Sequence, residues 1–276
     1  MWLIEDFTAE RTLGNGYREL IDEVRNQGME CVVLDITNHF ELKPGKINPL
    51  EDCVVFQGSI QLFKKLKEET TIRPLGWMTD NNYLCTSYYP YFQRHLFNDI
   101  HVFTTVAGLK HNKWRIYSAF GKEANIFVRP NGGNKTFTGQ LLDLQDFDRF
   151  WKDDIHCGCK DNDLVVVSTP KIIKGEWRHI CTKYKEILGI SLYKYNDQRT
   201  YVPGAPQKAT ELCQQILDVG WFPDPVFTVD IAEDNDGNFW LMELNSFTSA
   251  GTYAAPKANI VKRVSEIAEE EYLQTV

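Results

Sequence analysis

Apolar positions recur along this chain with two different periods. In residues 15–27, NGYRELIDEVRNQ, the apolar positions Tyr17, Leu20, Ile21 and Val24 have helical spacing, and Gly28 follows as a stop signal. On either side, WLIED and ECVVLDIT are short, apolar and rich in β-branched residues, so the opening predicts strand, helix, strand. CVVFQGS predicts a further strand, and Ser59 stands where it caps the helix IQLFKKLKEE. These elements predict a small α/β layer built on a parallel sheet. Residues 74–100 are aromatic and irregular, which predicts a connector and a domain boundary near residue 100.

Beyond that point the pattern changes. NIFVRP and TFTGQLLDL read as two strands around the glycine-rich turn NGGN, DFDRFWKDD as a short helix and DLVVVSTP as a buried strand. EWRHICTKYKEILGISLYKY has more β-branched and aromatic character than helical periodicity and predicts strand, turn, strand. APQKATELCQQILDVG predicts a helix ending at Gly220, and ANIVKRVSEIAEEEYLQ an amphipathic C-terminal helix. Between them, VFTVDIAEDNDGNFWLMELN predicts a hairpin turning at DNDG.

The hairpin carries the candidate chemistry. With Asp234 opposite Gly237, Asp230 lies opposite Leu241 and diagonal to Glu243, and alternation puts Asp230, Leu241, Glu243 and Asn245 on one face. An even turn of another length keeps that parity, and a bulge breaks it. Two carboxylates and an amide at the inner end of an apolar strand need compensation for desolvation. Two arrangements supply it: a hard cation, Mg²⁺ or Mn²⁺, held by the oxygens, or a salt-bridged sheet end with Arg or Lys partners. An EF-hand loop starting at Asp234 is excluded, because Phe239 falls where that loop needs glycine.

Composition narrows the class. The chain has 276 residues, is 43% hydrophobic and 25% charged, and contains no apolar run of membrane-spanning length. Glu5 and Asp6 come too early for a secretory signal, so the expected compartment is the cytoplasm. A net charge of −8 argues against a general nucleic-acid binder. The seven cysteines are scattered, which argues against a disulfide framework. His156, Cys157 and Cys159 in HCGC lack a second ligand pair for zinc.

Basic residues and glycines complete the candidate set. In FVRPNGGNKTFTG, Arg129 ends a strand and Gly132 and Gly133 allow backbone N–H groups to approach anionic oxygens; Lys135 follows, although Asn134 excludes a Walker A loop. In KGEWRH, Glu176 and Arg178 share a strand face, and Arg178 suits a bidentate hold on phosphate or carboxylate. Lys171 and Lys194 are further candidates.

The order of these motifs resembles the ATP-grasp superfamily. FVRPNGGNKTFTG, GEWRHI and FTVDIAEDNDGNFWLMELNSFTSAGTY resemble the clade named after two arginines and one lysine, over roughly residues 85–260. The resemblance implies an ATP-grasp fold, α/β plus α+β. Residues 1–100 would form a pre-ATP-grasp α/β domain. Residues 101–276 would form the ATP-grasp domain, with α+β subdomains at about 101–165 and 166–276 sandwiching the nucleotide. It implies Mg²⁺ on Asp230, Glu243 and Asn245, and ATP phosphates on Arg129 and on Lys135 of a mobile loop. It further implies an adenine slot at Thr169, Pro170, Lys171 and Ile172, and Arg178 facing the γ-phosphate and acyl intermediate, with Glu176 and Lys194 nearby. Many members carry lysine where this chain has Arg129. The implied activity is an ATP-dependent carboxylate–amine ligase acting on amino-acid or peptide substrates through an acyl phosphate. The alternatives are a phosphotransferase using a hydroxyl acceptor and a nucleotide-binding module without catalysis. Tyr88, Tyr89 and Tyr253 are candidates to line an acceptor pocket or to pack as core aromatics.

Overall fold

The opening segment folds as its periodicity requires. A computed structural model describes residues 1–6, 16–35, 53–132, 136–152 and 158–274. Strands β1 (Trp2–Asp6), β2 (Cys31–Asp35), β3 (Cys53–Gln57) and β4 (Arg73–Leu75) form an all-parallel sheet in the order β2-β1-β3-β4. Alternation divides its side chains. Leu3, Val54 and Phe56 pack with Leu62, Phe63 and Leu66 of helix α2 (Ile60–Glu69), whose first turn is capped by Ser59 Oγ accepting from Leu62 N at 3.2 Å. Trp2, Ile4 and Val55 pack with Tyr17, Leu20, Ile21 and Val24 of helix α1 (Tyr17–Asn26).

Residues 74–100 hold more structure than the aromatic pattern implied. They contain helix α3 (Cys85–Phe92) between single turns at Asp80–Tyr83 and Gln93–His95. Tyr88, Tyr89 and Phe92 are buried. After Phe92 the chain touches two sheets in succession: Leu96 bridges Leu241, and β5 (His101–Thr105) then enters an antiparallel sheet. That sheet has the order β5-β8-β6-β7, with β6 (Asn125–Pro130), β7 (Gln140–Asp143) and β8 (Leu164–Ser168). Helices α4 (Val106–His111), α5 (Lys113–Phe120) and α6 (Phe147–Phe150) supply Val106, Leu109, Tyr117 and Phe147 to its core. The strand expected over TFTGQLLDL starts only at Gln140, and α6 is a single turn. His156 and Cys157 lie outside the described residues.

The third sheet is antiparallel, ordered β11-β10-β9-β12-β13, with β9 (Ile173–Thr182), β10 (Ile187–Tyr195), β11 (Gln198–Pro203), β12 (Val226–Asp234) and β13 (Phe239–Ser246). One face packs Cys181, Phe227, Val229 and Ile231 against Leu212, Cys213 and Ile216 of helix α7 (Gln207–Asp218). The other face meets helix α8 (Lys257–Leu273), whose Ile260, Val261, Val264, Ile267 and Ala268 form a helical stripe. That same stripe packs on Trp2, Ile4 and α1, so one helix joins the parallel sheet to this one. No helix among the described residues is long and apolar enough to cross a membrane.

Candidate functional site

The hairpin brings its three polar residues together by a route different from the expected one. Asp234 pairs with Asn238 through Asp234 N donating to Asn238 O at 3.0 Å, which leaves an odd turn, Asn235 to Gly237. Asp234 Oδ1 holds that turn, accepting from Asp236 N and Asn238 N, both at 2.9 Å. An odd turn alone would set Asp230 opposite Met242 and reverse the parity. A bulge cancels it: Ile231 faces Leu241, but Asp230 faces Glu243, and Met242 is the extra residue. Asp230 and Glu243 are therefore directly opposite, not diagonal, and Thr228 is opposite Asn245. Asp230, Glu243 and Asn245 share a face.

Register extends this face across the sheet. Arg178 on β9 lies opposite Asp230 on one side and Ser191 of β10 on the other, while Glu176 lies opposite Lys194. Arg178 grips Asp230 along one edge of its fork, Nε to Oδ1 at 2.8 Å and Nη2 to Oδ2 at 2.6 Å. Asp230 has no exposed surface. Burial pushes its carboxyl up, against the opposing pull of Arg178. Burial likewise works against charge on Arg178, yet Asp230 raises its pKa above the ordinary arginine value. Glu176 is held by Tyr193 Oη at 2.7 Å and by Lys194 Nζ at 3.3 Å. Lys194 also pairs with Asp197 at 3.0 Å. Burial opposes its charge, but these acidic partners raise its pKa.

The second basic residue arrives from the other antiparallel sheet. Arg129, at the end of β6, donates from Nη2 to Glu243 Oε2 at 2.9 Å and from Nη1 to Met242 O at 3.3 Å. The bulge that restores the parity thus also presents a carbonyl to Arg129. Asn245 lies between the carboxylates, its Nδ2 donating to Asp230 Oδ2 at 3.1 Å and to Glu243 Oε1 at 2.9 Å. Both compensations weighed for the acidic face can be judged here. The salt-bridged sheet end is present, with one guanidinium for each carboxylate.

The donor set also fits a hard cation in part. Glu243 retains 23% side-chain exposure, and a half-turn of the Asn245 amide would present its oxygen in place of its nitrogen. Asp230 Oδ1 accepts from Arg178 Nε and keeps a second lone pair for a further partner. Among the described residues no group of three His, Cys, Asp or Glu side chains is disposed to hold a metal.

The remaining sequence candidates divide. Lys171 does not point to the acidic face. Its ammonium is taken by Phe97 O and Asp99 Oδ1 and lies 5.4 and 5.5 Å from the Phe97 and Trp240 ring centroids. Nothing nearby in sequence marks Asp99 as its partner. Ser168 Oγ donates to Asn98 Oδ1 at 3.1 Å, so the two segments linking the antiparallel sheets, 97–101 and 168–173, are stitched together. Thr169 and Pro170 in that linker are half-buried and Ile172 is exposed. Lys135 lies outside the described residues. Tyr88 and Tyr89 are core aromatics, at 1% and 2% exposure, whereas half-buried Tyr253 reaches the face. Sequence reasoning missed Tyr193. Alternation sets it opposite to Lys194, and only the irregularity between Leu192 and Lys194 turns it toward Glu176.

The profile of an ATP-grasp domain, family 2 of the clade named after two arginines and one lysine, matches residues 106–263. No curated protein matches the chain in sequence. In structure it is similar to D-cycloserine synthetase DcsG, with a TM-score of 0.63 and 12% identity over 97% of this chain and 99% of that one. It is similar to D-alanyl-alanine synthetase A from Vibrio cholerae O1 biovar eltor, with a TM-score of 0.61 and 13% identity over 99% and 98%. A third neighbour, the ATP-grasp ligase PsnB complexed with a minimal precursor, has a TM-score of 0.56 and 12% identity over 98% of each chain. At these identities the likeness is one of fold.

Proposed function

Because the chain belongs to the ATP-grasp superfamily, in family 2 of its two-arginine, one-lysine clade, we propose that it is an ATP- and Mg²⁺-dependent ligase joining the carboxylate of an amino acid or peptide to an amine through an acyl phosphate. One observation carries this reading: Asp230, Glu243, Asn245, Arg178 and Arg129 converge from two different sheets. Residues 1–100 would be the pre-ATP-grasp domain and 101–276 the ATP-grasp domain, its two subdomains flanking the nucleotide.

The charge balance of the cluster supports the same reading. Two guanidiniums face two carboxylates, so the four groups are formally neutral. Such a site favours neither a bare cation nor a bare triphosphate. It suits the two together, with the cation on the carboxylates and the phosphates on the arginines. Glu243 and Asn245 would present oxygens to the cation, joined by Asp230 Oδ1. Arg129 would exchange Glu243 for phosphate oxygens, and Lys135 would contact them as well. Arg178, fixed by Asp230, would face the transferring phosphoryl group and the carboxylate it activates. The backbone of Thr169 to Ile172 would read the adenine edge, with the Lys171 ammonium bracing the linker. Glu176 and Lys194 would border the nucleotide on the next row. Bound here, ATP with its cation supplies the phosphoryl group that turns a carboxylate into an electrophile.

Replacing Glu243 by Gln keeps the shape and removes the charge. Acceptor-stimulated ADP release is expected to fall by about 100-fold. Full turnover in that variant contradicts the assignment. Product analysis then distinguishes the ligase, which yields an amide, from a phosphotransferase, which leaves a stable phosphorylated product.

A further inference from the structure

The strands explain how Asp230 holds one edge of the Arg178 fork. They do not explain what holds the other. Arg178 Nη1 donates to Gly251 O at 3.3 Å and to Tyr253 Oη at 3.4 Å, and the guanidinium carbon lies 5.1 Å from the Tyr253 ring centroid. Both contacts come from the segment that follows β13. Tyr253 adopts φ +46°, left-handed backbone that a bulky residue occupies only when its surroundings impose it.

Those surroundings are specific, and they come from several elements. Lys257 Nζ donates to Tyr253 O at 2.7 Å and to Ala255 O at 2.6 Å, and Ala254 N donates to Ser191 Oγ at 3.1 Å. From the parallel-sheet layer, Gln57 Nε2 donates to Ala250 O at 2.5 Å, and Gly16 O accepts from Thr252 Oγ1 at 3.4 Å. Gly16 leaves no room for a side chain, since a Cβ there would stand 2.3 Å from Tyr253 O. The Tyr253 ring is stacked between Tyr193 and Tyr201, at centroid distances of 5.0 and 5.6 Å. Backbone strain, a buried lysine clamp and close glycine contact are thus assembled around one tyrosine whose hydroxyl ends on Arg178.

We infer that Tyr253 is a positioning residue: the segment Ala250 to Tyr253, gripped by the parallel-sheet layer, holds the free edge of the Arg178 guanidinium in place for the transferring phosphoryl group. The positioning stands on this geometry alone, whereas its catalytic consequence rests on the proposed ligase reading.

The competing role is ring packing in the tyrosine stack. Two variants of the full chain separate them. Tyr253→Phe keeps the ring and loses the hydroxyl, and Tyr253→Leu loses both. With ATP and a productive acceptor, Tyr253→Leu is expected to lower kcat at least about tenfold, with the KM for ATP within about twofold of wild type. Tyr253→Phe, which lacks the hydroxyl that meets Nη1, is expected to show most of the same loss, and wild-type kcat in Tyr253→Phe would assign the role to ring packing and overturn the proposal. In nitrogen-15 NMR, solvent exchange of the Arg178 Nη1 protons is expected to accelerate in Tyr253→Phe as well as in Tyr253→Leu, and this readout needs no turnover. Unchanged exchange in Tyr253→Phe overturns the proposal whatever the kinetics. So does a rise in the KM for ATP at constant kcat. Wild-type protein that turns over ATP with no acceptor defeats the ligase reading instead, and the exchange measurement still decides the role of Tyr253.

Discussion

Arg178 and Asp230 are cross-strand neighbours in one sheet, joined by two bonds at 2.8 and 2.6 Å, and Asp230 is wholly buried. Arg129 and Glu243 come from different sheets and are joined by one bond at 2.9 Å, with 16% and 23% of their side chains exposed. Register fixes the first pair, and the backbone must move to separate it. The second pair joins two sheets through side chains that keep some exposure, so no strand register fixes it. Two guanidinium–carboxylate contacts on one face therefore differ in kind. One is part of the scaffold and keeps an arginine aimed. The other keeps some exposure, and on the proposed reading its two charges would part to meet a phosphate and a cation.

The difference is open to direct attack, and the largest effect is expected at the scaffold pair. Arg178→Met leaves Asp230 buried without its counter-charge and should cost about 3–5 kcal/mol of stability in urea denaturation. A cost below about 1 kcal/mol would mean that water reaches the carboxylate and the two pairs are alike.

A second test uses the next residue of the same strand. His179 is wholly buried, and burial pushes its pKa down to about 4, the backbone at Val229 and Trp177 offsetting only part of that. The unfolded chain takes up this proton near pH 6.5 and the folded chain refuses it until about pH 4. Its contribution is therefore fully present above about 6.5 and is lost as pH falls toward 4, by about 3 kcal/mol. Guanidiniums do not titrate in that window. His179→Leu should flatten the acid slope of the denaturation midpoint between about pH 7.5 and 5 while leaving both ion pairs intact. An unchanged slope would locate the acid sensitivity in the carboxylates.

The smallest effect on stability is expected at the pair between the two sheets. Arg129→Gln should cost about 1 kcal/mol or less, because its pair is partly exposed. The same variant should weaken ATP binding by about tenfold, since a charge-assisted phosphate contact is lost. A large stability loss with unchanged nucleotide affinity would make Arg129 a second scaffold residue.

Much of this organisation was legible in the sequence, and the gaps have physical causes. Helices α1, α7 and α8 carry strong apolar stripes and formed where periodicity put them. Strands β5 and β11 and helices α4 and α5 are short and lack a clear period, and they were missed. The shared face of Asp230, Glu243 and Asn245 was read correctly from an incorrect register. An odd turn and a bulge at Met242, neither visible as a pattern, cancel each other. Tyr193 was hidden by a register irregularity in the neighbouring pair of strands. The partners of Lys171 are not legible in the sequence, because a lysine on a linker carries no mark of them. Phe97 and Asp99 lie more than seventy positions away in sequence.

The central claim is that the neutral cluster accepts cation and triphosphate only together, with Glu243 as a cation ligand. Isothermal titration tests it most directly. Wild-type protein should bind ATP strongly when Mg²⁺ is present, and should give no comparable signal with either alone. Glu243→Gln should raise the Kd for Mg·ATP by at least about tenfold. Equal affinity of Glu243→Gln and wild type for Mg·ATP, or tight binding of Mg²⁺ alone, would contradict the account.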